Sequence, residues 1–305
     1  MEGSVRNLNH KIENELGRHA PLFKNILVPI SSEYFTIDLI RTACFLAENF
    51  SADLSIVYIP EEETFEFIQR KTDPYRTPQD MNDVKKKLIS EQRQIGKEII
   101  LKEIEKVLTP KNIEFDFTIV PGIFSHVIKK EVEQDSFDLV LMSYKKYCFV
   151  NYSVLDEIDT SIWVECGNDR KSLLVVCSNL SSNQIVVEKS MILSRFLDWD
   201  LRMVYIVDSH DGWESDDHGV KKRKKSVDEL VDEAKSFIDT MKENGVDVQL
   251  VQGDIEHEIL KAAKIVGPKV VVIGRGYKRD FLGFPVKDFQ QRLVGKCKYS
   301  FLFVR

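Results

Sequence analysis

The chain has 305 residues, a formal net charge of −6 and a pI near 5.7, whereas a general nucleic-acid-binding domain would have a pI above about 9. Its 43% hydrophobic content supports about two packed domains of ~150 residues, and no apolar run approaches the ~20 residues needed to span a bilayer. Residues 1–22 lack the apolar core of a signal peptide, and the odd set Cys44, Cys148, Cys166, Cys177 and Cys297 has no C-x-x-C pair, so a soluble cytoplasmic protein with no membrane insertion and no general nucleic-acid binding is expected.

Residues 1–23 precede the first strand as an arm or extra helix. The all-apolar run 26–30 reads as a parallel strand covered on both faces. Ser31 and Ser32 follow as a cap, and then Ile37, Ile40, Ala43, Cys44 and Ala47 recur at helical spacing. Strand 53–59 leads into an acidic, then proline-containing excursion over 60–80. A charged helix over 80–108 follows, then strand 115–120, helix 123–132 and strands 139–142 and 161–165. The second half repeats the order: strand 173–177, helix 186–196, strand 201–207, helix 227–242, strand 246–251, helix 255–265 and strands 270–273 and 300–304. Between its second strand and next helix lie an acidic stretch, 208–217, and the basic run 221–225, read either as contact with an anionic partner or as a solvated loop or first helical turn.

The two halves are copies. Lys24-Asn25-Ile26-Leu27-Val28 recurs 147 residues on as Lys171-Ser172-Leu173-Leu174-Val175. Val120, Gly122, His126 and Ile128 recur 131 residues on as Val251, Gly253, His257 and Ile259, so the second copy is 16 residues shorter in its middle. A repeat this long is a whole domain, beyond the 20–50 residues of a solenoid unit. Domains over 24–168 and 169–305 are expected, each an α/β doubly wound parallel sheet. Ligands of such sheets bind beyond the strands' carboxyl ends near the topological switch. That places candidate sites after Ile30 and Met142 in copy one, and after Cys177 and Ile273 in copy two.

Each copy resembles the universal stress protein domain, over about 280 residues in all. The carriers in copy one are Asn25-Ile26-Leu27-Val28-Pro29-Ile30, Phe45-Leu46-Ala47-Glu48-Asn49-Phe50 and Ala52-Asp53-Leu54-Ser55-Ile56-Val57-Tyr58. In copy two they are Val251-Gln252-Gly253, Val271-Val272-Ile273-Gly274-Arg275-Gly276 and Phe301-Leu302-Phe303-Val304-Arg305. The resemblance implies two tandem five-stranded sheets of order 3-2-1-4-5. It also implies a pseudo-twofold internal dimer through the last strands, 161–165 beside 300–304, and a stress-response or regulatory protein with an unidentified protein partner. Two chains associating as a homodimer would bring four such domains together.

ATP-binding members of that family resemble one another at G-x2-G-x9-G-[S/T] after the fourth strand. Glycines there let backbone N–H groups approach the phosphates, and the next helix N-terminus adds a favourable field. Copy two begins this pattern with Gly274, but its second glycine position falls on Tyr277, next to Gly276, and its last pair on Lys287-Asp288. Copy one has Ser143-Tyr144-Lys145-Lys146-Tyr147 there, without glycine, and is degenerate. The first-strand aspartate of the family is replaced by Ser31 and Ser178. The candidate nucleotide-binding set is therefore Ser178, Gly274, Arg275, Gly276, Lys278, Arg279 and Lys287, with ATP or another adenine nucleotide, accompanied by Mg2+, as ligand. Its basic members receive a phosphate as point charges or forks.

His126 and His257 lack a second ligand at i+3 or i+4, so no metal site is expected. No G-x-S-x-G, H-E-x-x-H or Walker G-x4-G-K-[ST] pattern is present. No enzyme is expected. Two functions stay open: a regulator that senses an adenine nucleotide through copy two, and an interaction or scaffold protein that binds no nucleotide.

Overall fold

The computed structural model describes residues 22–62, 78–146, 148, 150–181, 183–208, 213–215, 221–275, 280–281, 284–285 and 289–305, with backbone alone at 78, 81, 213–215, 221–224, 280–281 and 284–285. These form two compact units, Phe23–Thr160 and Ser161–Arg305. The sequence reading divides the copies at 168/169. The units part at 160/161 because the strand that ends copy one pairs with the strand that ends copy two.

In the first unit β1 (Asn25–Ser31) leads to α1 (Ile37–Phe50) and β2 (Asp53–Ile59). Ile26, Leu27 and Val28 are each 0% exposed, as a strand covered on both faces requires. Leu39, Ile40, Ala43, Leu46, Ala47 and Phe50 form the buried stripe of α1. The helix ends where Ser51 turns left-handed (φ 52°) and its N–H bonds the Ala47 carbonyl. A long helical span follows, α2 (Pro78–Ile95), one π turn (Gly96–Ile100) and α3 (Leu101–Leu108), closed by a 3-10 turn over Thr109–Lys111. Then come β3 (Phe115–Ile119), α4 (Phe124–Gln134), β4 (Leu139–Ser143) and the short α5 (Val154–Glu157). The strands run parallel in the order β3-β2-β1-β4.

The second unit opens with β5 (Ser161–Glu165), β6 (Ser172–Ser178), α6 (Asn183–Leu197) and β7 (Asp200–Val207). A ribbon, β8 (Trp213–Ser215) with β9 (Lys221–Lys224), precedes α7 (Val227–Glu243). The basic run is therefore mostly a strand instead of a loop or helical turn. Helix α7 starts after it, at a capping box: Ser226 Oγ accepts the Glu229 N–H and the Glu229 carboxylate accepts the Ser226 N–H. Strand β10 (Val248–Gln252), α8 (Ile255–Val266) and β11 (Val270–Gly274) follow. After the ribbon β12 (Asp280–Phe281) with β13 (Phe284–Pro285), α9 (Phe289–Lys296) and β14 (Ser300–Val304) complete the unit. Its sheet has the order β10-β7-β6-β11-β14-β5. The first five of these strands realise the expected 3-2-1-4-5 arrangement. Only β5 is antiparallel, with Phe301 beside Val164 and Phe303 beside Ile162.

Among the described residues, no helix is long and apolar enough to cross a membrane.

Candidate functional site

In the second unit β6 and β11 are neighbours, with Ile273 beside Val176. The chain leaves β6 toward β7 on one side and reaches β11 from β10 on the far side, so the topological switch lies between them. Ser178 and Gly274 end these two strands. The structure thus brings two of the expected site residues to one edge. Arg275 follows directly, half-buried, its N–H donating to the Val304 carbonyl at 2.8 Å. Gly276, Lys278, Arg279 and Lys287 lie outside the described residues.

The Ser178 side chain is engaged with its own turn. Ser178 is 0% exposed, and its Oγ accepts the Leu180 N–H at 3.0 Å. Asn183, first residue of α6, brackets it: Asn183 Oδ1 accepts the Ser178 N–H and Asn183 Nδ2 donates to the Ser178 carbonyl, both at 2.9 Å. A buried hydroxyl in such a turn orients backbone.

Asp208 and Asp254 are acids that sequence reasoning missed. Asp208 is 0% exposed at the end of β7. Its N–H donates to Asn179 Oδ1 at 2.8 Å, and its Oδ2 accepts the Ile255 N–H at 3.2 Å. Asp254 caps the same helix, Oδ1 accepting the His257 N–H at 3.0 Å. Two amides of the first turn of α8 therefore already bond carboxylates, and a phosphate placed there would meet negative charge. A signal for Asp208 existed in the repeat, because the same offset of 147 places it on Glu61. Glu61 is also 0% exposed. It accepts the Ser31 hydroxyl at 3.1 Å, and its N–H donates to Ser32 Oγ at 3.0 Å. Both copies carry a buried acid after the second strand, linked to the end of the first.

Glu256 ties α8 to α9, the helix after the candidate loop. Its carboxylate accepts Arg292 Nε at 3.0 Å and Lys296 Nζ at 2.6 Å, with 13% of the side chain exposed. Burial by itself raises its pKa, but the bonds and charges of Lys296 and Arg292 outweigh burial and hold the carboxyl below the usual glutamate value. A depressed folded pKa stabilises above the unfolded value and is lost as pH falls through the folded one. Acid titration of stability should therefore contain a component beginning near the ordinary glutamate pKa of ~4.3 and finishing below it, and Glu256→Gln should remove that component from urea midpoints measured between about pH 3 and 6.

Other candidates carry less chemistry. His126 is exposed, and His257, 72% exposed, has Nδ1 3.0 Å from Glu258 Oε1. Among the described residues no group of three or more His, Cys, Asp or Glu could hold a metal. Burial pushes the Cys177 thiol far up and Cys166 to about 12, so neither is a thiolate nucleophile near neutral pH.

Neither a protein-family model nor a curated protein sequence matches the chain. Solved structures do. A universal stress protein from Archaeoglobus fulgidus superposes with a TM-score of 0.65 at 11% identity, covering 93% of this chain and 97% of its own. A functionally unknown protein and a candidate universal stress protein, both from Pseudomonas aeruginosa, each superpose with a TM-score of 0.57 at 10% identity, covering 94% of both chains. At such identities the match is one of architecture, and with the strand order and repeat already described, the chain has the universal stress protein fold over nearly its whole length.

Proposed function

We propose that the protein is a non-enzymatic, cytoplasmic regulator of the universal stress type whose second unit senses an adenine nucleotide. The observation that carries this reading is the strand-end edge at Gly274 and Arg275. A glycine ends the strand at the topological switch and a cationic side chain follows it, while acid-capped α8 leaves this edge as the place for phosphate. Gly276, Lys278, Arg279 and Lys287 complete the proposed set from the loop that follows. Mg2+ would accompany the nucleotide. Binding would act through residues 274–288 to alter a surface read by a protein partner or a second copy of the chain.

A second reading is favoured by Ser178, whose buried hydroxyl is held within its own turn. On that reading the units act as an interaction scaffold and bind no nucleotide. Denaturing the purified protein and assaying the supernatant for nucleotide separates the two. The sensor reading expects near-stoichiometric ATP, ADP or AMP, or stabilisation of about 2.7 kcal/mol with Mg-ATP at a hundred times Kd, weakened by Gly274→Val and Lys287→Ala. An empty protein with no thermal response to millimolar Mg-ATP supports the scaffold.

A further inference from the structure

In the first unit the equivalent switch lies between β1 and β4, which are neighbours with Leu27 beside Val140. Aromatic residues gather around these strand ends. Tyr144 follows β4, and its ring centroid is 4.6 Å from that of Tyr152. Tyr152 meets Phe124, the first residue of α4, edge-on at 5.8 Å. Phe124 is 2% exposed and Tyr152 6%. The polar end of Tyr152 is also engaged: its Oη accepts the Lys145 N–H at 3.1 Å and lies 3.7 Å from Cys148 Sγ. The Cys148 thiol donates to the Lys145 carbonyl at 2.9 Å. On the β1 side, Lys145 Nζ sits 5.2 Å above the ring of Tyr34, which forms a bridge with Ser31. The ends of β1 and β4 and the start of α4 thus join in one cluster, and burial holds the Tyr152 hydroxyl well above the usual tyrosine pKa.

We propose that this cluster is an internal plug: Tyr144 and Tyr152 fill the strand-end crevice of the first unit, which keeps its ligand position closed with its own side chains. A planar ligand entering there would have to expel two rings in tilted contact and break the Lys145–Tyr152 hydrogen bond. The second unit has Gly274 and Arg275 at the corresponding strand end, without a ring at either position. The two halves are then unequal by construction, one closed from within and one bearing glycine. The closed half holds Tyr144, Lys145 and Tyr152 together with no ligand present. The plug does not depend on whether the second unit binds a nucleotide.

The full-length chain, Tyr152→Phe and Tyr144→Ala/Tyr152→Ala test it, with p-cresol, the tyrosine side chain as a free molecule, as probe. In wild type the Lys145 amide should be protected from hydrogen exchange, and in Tyr152→Phe it should exchange at least ~10-fold faster while β4 amides stay unchanged, as expected for losing about one hydrogen bond. The double variant should take up one equivalent of p-cresol per chain beyond any bound by wild type, and its thermal midpoint should rise with the probe, as a vacated apolar site does. Three results would overturn the plug: an unprotected Lys145 amide in wild type, p-cresol or adenosine entering wild type and perturbing Tyr144 and Tyr152, or a folded double variant that takes up no probe. Should the double variant fail to fold, the exchange of the Lys145 amide in wild type and Tyr152→Phe decides.

Discussion

Glu165→Ala should destabilise the second unit by about 3–5 kcal/mol, the range for removing one partner of a buried ion pair. Glu165 ends β5, and only 1% of its side chain is exposed. Its Oε1 accepts Lys269 Nζ at 2.9 Å and the Gly167 N–H at 2.8 Å, and its Oε2 accepts Trp163 Nε1 at 3.0 Å. Truncation leaves three donors without this acceptor, one of them a cation whose side chain is 12% exposed and another on an indole that is 0% exposed. The cost comes mainly from stranding the charge, since a hydrogen bond contributes only about 1 kcal/mol net. The double variant Glu165→Gln/Lys269→Met should therefore recover more than half of the loss. Urea midpoints at unchanged m would measure both. A double variant no better than Glu165→Ala would show that the stranded lysine is not the cause.

Gly96→Val should destabilise the first unit by about 2 kcal/mol, within the usual range for overpacking. Gly96 opens the π turn, where the Leu101 N–H reaches back five residues to its carbonyl. A Cβ at Gly96 would lie 2.7 Å from Tyr58 Cδ1 and 3.1 Å from Ile119 Cδ1. The Tyr58 ring cannot step aside cheaply: it is 2% exposed, and its hydroxyl donates to Gln92 Oε1 at 2.8 Å. In an open helix, replacing glycine by alanine would gain about 1 kcal/mol. Here that gain opposes a contact closer than van der Waals distance, so Gly96→Ala should also lose stability, by less than Gly96→Val. Stabilisation by alanine in a urea melt would mean that the helix and Tyr58 are not in close contact.

Much of the architecture was legible because it rests on local pattern. The all-apolar runs 26–30, 139–142, 173–177 and 270–273 all fall in central parallel strands, and the helix expected over 80–108 is the α2–α3 span. Less legible were α5 and α9, of four and eight residues, too short for a repeating apolar face, and the strand Lys221–Lys224, whose charge run has no β-like composition. Of the candidate site, Ser178 and Gly274 share one strand-end edge, but the orientation of Ser178 could not be foreseen. Its hydroxyl bonds a backbone N–H two residues away, an outcome its identity permits without requiring. Asp208 escaped notice because surface and buried acids look alike in a chain that is 30% charged.

By itself the sequence determined the repeat, the element order and the parallel sheets, because hydrophobic periodicity acts over one turn or one strand and each copy repeats it. Tertiary structure alone decided which acids are buried and which aromatic rings gather at the ends of β1 and β4, whereas the pairing of β5 with β14 was already implied by the family resemblance. Those outcomes depend on contacts between residues far apart in the chain. Glu165 and Lys269 are 104 positions apart, and no local pattern marks either as the other's partner. Burial makes that partner necessary, because a charge removed from water costs several kcal/mol unless another charge or hydrogen bonds compensate it, and only the folded chain determines what is buried.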